Sequence, residues 1–132
     1  MPAIKKSPHV LVVEDEPDIL KMVQVRLEAS GYQVSGAVDG EEGLQKARQE
    51  RPDLIILDLM LPKLSGYEVC KALKQDPKFC SIPIILFTAM AQEKDEKAGF
   101  ACGANAYVRK PFDSKELLAE VQRFLSSTEV PL

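Results

Sequence analysis

A chain of 132 residues, 45% hydrophobic and 28% charged, is one domain's worth of sequence, long enough to bury a core and too short for two domains. No stretch approaches the roughly 18 consecutive apolar residues of a membrane span, and residues 1–8 hold no apolar core of signal-peptide length, so the expected compartment is the cytoplasm. A net charge of −3, with basic residues scattered among acidic ones, leaves no basic stripe and argues against direct nucleic-acid binding. The three cysteines, Cys70, Cys80 and Cys102, are widely spaced and accompany one histidine, His9. That arithmetic argues against zinc and against a disulfide framework, and the thiols read as small buried or half-buried side chains.

In chain order, residues 1–8 form an N-terminal extension, and His9-Val10-Leu11-Val12-Val13 is a continuous apolar run that stops at Glu14-Asp15-Glu16. Pro17 suits the first turn of a helix, Leu20, Val23 and Leu27 share its inner face, and Gly31 terminates it. The segment from Tyr32 to Ala37 is more polar and fits an edge strand, and Asp39 with Glu42 opens a helix carrying Leu44 and Ala47. Leu54-Ile55-Ile56-Leu57, bracketed by Pro52 and Pro62, is a second buried-strand pattern. Asp58 follows it directly. A charge there is costly to bury, so Asp58 is expected to emerge at the rim of a sheet.

Ser65 and Glu68 repeat the capping-box pattern, with Val69 and Leu73 facing inward as far as Pro77. Pro83 introduces a third apolar run, Ile84-Ile85-Leu86-Phe87, ending in Thr88. Residues 91–102 read as the weakest helix and a candidate moving part, because they are polar nearly all round and contain Gly99. Ala106-Tyr107-Val108-Arg109 is a short second edge strand followed by Lys110-Pro111. Asp113 and Glu116 then cap an amphipathic helix with Leu117, Leu118, Val121, Phe124 and Leu125, and residues 127–132 form a tail.

Five alternations of strand and helix predict an α/β sandwich spanning residues 9–126, with a parallel sheet covered by helices on both faces, the three apolar strands central and the two mixed ones at the edges. All strands of a parallel sheet end on one rim, where ligands bind. Glu14 and Asp15 follow the first central run, Asp58 the second, Thr88 the third, and Lys110 the last edge strand. Taken singly, Glu14 and Asp15 are helix caps, Asp58 an exposed strand end, Thr88 a turn residue and Lys110 a solvated charge. Their shared placement points to a site. Clustered carboxylates must raise a pKa or bind a cation, and oxygen ligands without His or Cys favour a hard ion such as Mg²⁺, which shares its coordination with phosphate. In this arrangement Asp58 would be the nucleophile of a phosphoryl transfer, with Lys110 neutralising developing charge and the Thr88 hydroxyl donating to a phosphoryl oxygen. Tyr107 reads as a partly buried edge-strand aromatic.

From His9 to Leu125 the chain resembles the receiver domain of two-component response regulators. The resemblance lies in Val12-Val13-Glu14-Asp15-Glu16-Pro17, in Leu57-Asp58-Leu59-Met60-Leu61-Pro62 with Gly66, in Leu86-Phe87-Thr88-Ala89, and in residues 103–112, Gly-Ala-Asn-Ala-Tyr-Val-Arg-Lys-Pro-Phe. It implies a flavodoxin-like (βα)5 fold with strand order 2-1-3-4-5, close to the single-domain chemotaxis regulators. It also implies that Asp58 accepts a phosphoryl group from a histidine kinase or phosphotransfer protein. Glu14, Asp15, Asp58 and the backbone carbonyl of Met60 would hold Mg²⁺, Thr88 and Lys110 would contact the phosphoryl group, and Tyr107 would turn inward on activation. A cis bond between Lys110 and Pro111 is implied too. The helix at 91–102, the strand at 106–109 and the helix at 114–125 would form the signalling face for a downstream protein, with the chain a monomer or a phosphorylation-dependent dimer.

Such a protein is not a conventional enzyme and catalyses only its own aspartyl phosphorylation and dephosphorylation. Four positions bear on how closely the chain follows the commonest family pattern. Glu14 replaces the first aspartate of the acidic pair, Met60 and Met90 stand where the family tunes acyl-phosphate lifetime, and Ser65 replaces a frequent aspartate. A haloacid-dehalogenase-like phosphatase would need an aspartate at Met60, and a nucleotide-binding protein a glycine-rich loop after the first strand. The remaining alternatives are a receiver cut from a longer regulator and a docking module that acts without phosphorylation.

Overall fold

The computed structural model describes residues 7–89, 97, 101–110 and 113–125. These residues form strands β1 (His9–Val13), β2 (Gln33–Ala37), β3 (Leu54–Leu57), β4 (Ile84–Thr88) and β5 (Ala106–Arg109). Between and after them run helices α1 (Pro17–Ala29), α2 (Gly40–Glu50), α3 (Gly66–Lys74) and α4 (Ser114–Leu125). All neighbouring strands pair in parallel in the order β2-β1-β3-β4-β5, so the strand positions and the order expected from the sequence are both observed. The expected helix at 91–102 lies outside the described residues, apart from helical Lys97 and Ala101 and the turn residue Cys102. The N-terminal extension up to residue 6 and the 127–132 tail also lie outside them. Among the described residues no helix is long and apolar enough to cross a membrane.

The three apolar runs become the three central strands because both of their faces are covered. On one face Val10, Val12, Leu54, Ile56, Ile85, Phe87 and Val108 pack with Val23 and Leu27 of α1 and with Leu117, Val121 and Leu125 of α4. On the other, Leu11, Val13, Ile55, Leu57, Ile84 and Leu86 pack with Ala47 of α2 and with Val69, Cys70 and Leu73 of α3. Successive strand residues thus alternate between two cores, each closed by two helices. The edge strands β2 and β5 carry the mixed sequences.

Local chemistry sets where each element stops. After α1 the chain closes with N–H bonds from Gly31 to the Glu28 carbonyl and from Tyr32 to the Leu27 carbonyl. Gly31 adopts φ 95°, the left-handed turn that this double closure requires. Asp39 caps α2 by accepting the Glu42 N–H at 2.7 Å, and Ser65 caps α3 by accepting the Glu68 N–H at 3.2 Å. The Glu42 carboxylate reaches back to the N–H of Val38 rather than to that of Asp39, one residue beyond the expected box. Asp113 accepts the Lys115 N–H at 2.9 Å at the start of α4. Cys70 is buried and Cys102 half-buried as expected, whereas Cys80 is exposed, in the turn that follows Pro77.

Candidate functional site

Three backbone hydrogen bonds carry the sheet's pattern one residue past the strand ends. Glu14 N–H donates to Ala37 O at 3.0 Å, Asp58 N–H to Val13 O at 3.1 Å, and Lys110 N–H to Thr88 O at 2.8 Å. These bonds anchor the backbone of each residue that follows a strand, so the side chains meet at the carboxyl rim. Glu14 is fully buried, with Oε2 accepting the Glu16 N–H at 3.0 Å and Oε1 accepting from Lys110 Nζ. Asp58 accepts the Met60 N–H on Oδ1 at 3.1 Å and Lys110 Nζ on Oδ2 at 2.9 Å. One ammonium therefore bridges two carboxylates, and it also stands 4.8 Å above the centre of the Phe87 ring. Thr88, the last residue of β4, is buried at the same end of the sheet.

The burial of Asp58 corrects the sequence expectation. It is 4% exposed, not emergent, because the Met60 N–H and the Lys110 ammonium replace the water that a strand-end carboxylate would otherwise need. Asp15 is the exposed member of the acidic pair. Carboxylate oxygens of Glu14, Asp15 and Asp58 all lie within 4.8 Å of one another. Lys110 pairs with Glu14 and Asp58, so among the described residues the cluster holds more carboxylates than cations. An all-oxygen set of this kind fits a hard ion such as Mg²⁺.

The electrostatics follow from this crowding. Burial pushes the Glu14 carboxyl up from 4.5 to about 7, and the hydrogen bonds from Lys110 and from the Glu16 N–H offset only part of that cost. Burial alone would lower the Lys110 pKa, but its hydrogen bonds to Glu14 and Asp58 and their charges outweigh it, and the net shift is upward. Lys110 is thus a fixed cation of the site.

The supporting contacts were not evident from the sequence. A Cβ on Gly66 would stand 2.2 Å from the Asp58 carbonyl oxygen and 2.7 Å from Leu59 Cα, so only glycine lets α3 begin directly behind the Asp58 backbone. The Met60 side chain is 64% exposed, outside the cluster, while its N–H holds Asp58. Tyr107 pairs in register with Leu86, is half-buried, and packs against the core on the α2–α3 side of the sheet. The structure thus gathers Glu14, Asp15, Asp58, Thr88 and Lys110 at one rim. Pro111 and Met90 lie outside the described residues.

Comparison with known proteins matches residues 10–122 to the response regulator receiver domain. The alkaline phosphatase synthesis transcriptional regulatory protein PhoP of Bacillus subtilis is 48% identical over 121 residues, covering 92% of this chain and 50% of that protein. The DNA-binding dual master transcriptional regulator RpaA of Synechocystis is 45% identical over 122 residues, covering 92% of this chain and 51% of that protein. The chain spans about half the length of these curated relatives. Among solved structures, a response regulator from Chloroflexus aurantiacus superposes with a TM-score of 0.87 at 37% identity, covering 92% of this chain and 99% of that one. The chemotaxis protein CheY4 of Vibrio cholerae superposes with a TM-score of 0.84 at 36% identity, covering 89% and 98%.

Proposed function

The chain belongs to the response regulator receiver domain family, and from that premise we propose that it is a phosphorylation switch whose acceptor is Asp58. The observation that carries this reading is the rim itself, where three carboxylates lie within 4.8 Å of one another and the Lys110 ammonium bridges two of them, Glu14 and Asp58. Glu14, Asp15, Asp58 and the backbone carbonyl of Met60 would hold Mg²⁺. When bound, that ion neutralises the excess charge and draws in the oxygens of a phosphodonor. A carboxylate oxygen of Asp58 forms the new P–O bond as the bond from phosphorus to the donor's imidazole nitrogen breaks. Lys110, already on Asp58 Oδ2, moves with the developing charge, and the Thr88 hydroxyl donates to a phosphoryl oxygen.

The donor would be a histidine kinase or a histidine phosphotransfer protein, in the cytoplasm. Tyr107, on the edge strand next to Thr88's strand, would report the change to a face made by β5, α4 and the helix that the sequence leads one to expect at 91–102. A downstream protein reads that face. Coverage of only half of PhoP and RpaA favours a second arrangement, in which this receiver is one part of a longer regulator. The acceptor chemistry is the same in both.

The test is the intact-protein mass after incubation with Mg²⁺ and acetyl phosphate, for the native chain and for Asp58→Asn. A phosphoryl adduct that needs Mg²⁺ and vanishes in Asp58→Asn is the expected result. No adduct from acetyl phosphate or from phosphorylated histidine kinases, with the fold intact, would leave a docking module that works without phosphate.

A further inference from the structure

On the α2–α3 side of the sheet, away from the acidic rim, two cysteines 32 positions apart in sequence meet. Cys70 lies on the inner face of α3, fully buried, and its Sγ points at the backbone of Cys102, donating to that residue's carbonyl oxygen at 3.6 Å. The two thiols lie close enough to shift each other's titration in opposite directions. Cys102 is half-buried and lines an open cavity of about 470 Å³ together with Tyr67, Lys71, Lys74 and Gly103. Gly103 makes that turn at φ 103° and packs on the Lys74 stem. The Lys74 ammonium is fixed by the carbonyls of Cys80 at 3.1 Å and Ile82 at 2.8 Å.

We propose that Cys70 and Cys102 form a redox modification site, a dithiol that a hydroperoxide converts to a disulfide joining α3 to the turn that leads into β5. The cavity gives a small oxidant access to Cys102, while Cys70 is fully buried and does not line it. The Cys102 thiolate attacks the terminal oxygen of the hydroperoxide. The O–O bond breaks, an S–O bond forms, and the alcohol leaves with a proton, giving a sulfenic acid. The Cys70 sulfur, losing its proton, then forms the S–S bond as the sulfenic oxygen departs as water. Two thiols have given up two electrons, and one hydroperoxide has become an alcohol and a water.

The local electrostatics agree with this division of roles. The neighbouring Cys70 thiol, backbone N–H groups and the Lys74 charge bring the Cys102 thiol down from 9.0 to about 7, against its partial burial. The Cys70 thiol is held upward by the neighbouring Cys102 and by burial. Cys102 is the attacking thiol and Cys70 the resolving one.

The experiment treats the full chain with hydrogen peroxide and maps its peptides by mass without reductant. The expected product has lost two hydrogens, contains a Cys70–Cys102 linked peptide, reverts with dithiothreitol, and forms equally in Cys80→Ser. Cys70→Ala should instead accumulate a Cys102 sulfenic acid that dimedone captures, and Cys102→Ser should slow total thiol loss about tenfold at pH 7. Because Cys70→Ala alters the core, its fold is checked by circular dichroism, and Cys102→Ser carries the same test from the half-buried side. Linkage through exposed Cys80, oxidation confined to Cys80, or thiols unchanged at peroxide levels that consume free cysteine would each overturn the proposal.

Discussion

At the amino rim of the sheet, polar groups tie strand to strand. His9 and Asp53 exchange two bonds, the His9 N–H to Asp53 Oδ2 at 2.8 Å and the Asp53 N–H to the His9 carbonyl at 2.7 Å. The His9 imidazole bonds to Ser35 Oγ at 2.6 Å and lies 3.3 Å from Glu50. Asn105 closes the β4 end by accepting the Ile84 N–H at 2.9 Å and donating its own N–H to the Ile84 carbonyl at 2.8 Å. At the carboxyl rim, Glu14, Asp15 and Asp58 crowd together, and the Lys110 ammonium bridges Glu14 and Asp58. The first rim matches donors to acceptors and so serves the fold. The second keeps an unbalanced negative charge at a cost in stability, as a binding site for a cation and a phosphoryl group does.

The comparison breaks most severely at Gly66. Gly66→Ala drives a methyl group into the Asp58 backbone, and the expected loss is about 3 kcal/mol by urea unfolding, together with loss of the aspartyl adduct. A variant as stable as the native chain would mean that α3 can draw back without disturbing the acceptor.

The pH dependence of stability sharpens it next. The folded Glu14 carboxyl titrates at about 7 against an ordinary value of 4.5, so between those values the folded chain holds the proton more tightly than the unfolded one. Metal-free stability is therefore greatest below about pH 4.5 on this account and falls as pH rises through 7, by on the order of 2–3 kcal/mol. Glu14→Gln should flatten that slope and leave the metal-free chain more stable than native at pH 8. Urea unfolding with a chelator at pH 5 and pH 8 reads the difference, and an unchanged slope in the variant would place its origin elsewhere. The smallest effect belongs to the amino rim. Asp53→Ala removes the His9 acceptor and should cost about 1 kcal/mol, with Mg²⁺ binding and the phosphoryl adduct unaffected.

Much of this contrast was legible in the residues. The runs at 10–13, 54–57 and 84–87 are apolar without alternation because two cores cover them, and that burial made them central strands. Glu14, Asp15, Asp58, Thr88 and Lys110 could be grouped because each stands at or just beyond a strand end and parallel strands share a rim. The degree of burial was not legible. Glu14 next to a helix start has the sequence of a cap, and its full burial depends on Lys110, 96 residues away. Asp58 was expected to emerge for the same reason, since the N–H that holds it comes from backbone, which carries no sequence signal. The Cys70–Cys102 encounter arises from α3 packing against the turn before β5, and spacing alone read the thiols as separate. Phe87 looked like one more core residue, yet its ring lies beneath the Lys110 ammonium.

The most direct test is the affinity for Mg²⁺, titrated calorimetrically at pH 6 and pH 8 with the native chain and with Asp58→Asn. With the Glu14 carboxyl at about 7, binding should tighten about tenfold from pH 6 to pH 8 as the site sheds its proton. Asp58→Asn should bind more weakly at both. Equal affinity at the two pH values, or affinity untouched by Asp58→Asn, would contradict the claim that the unbalanced charge at the carboxyl rim is the cation site.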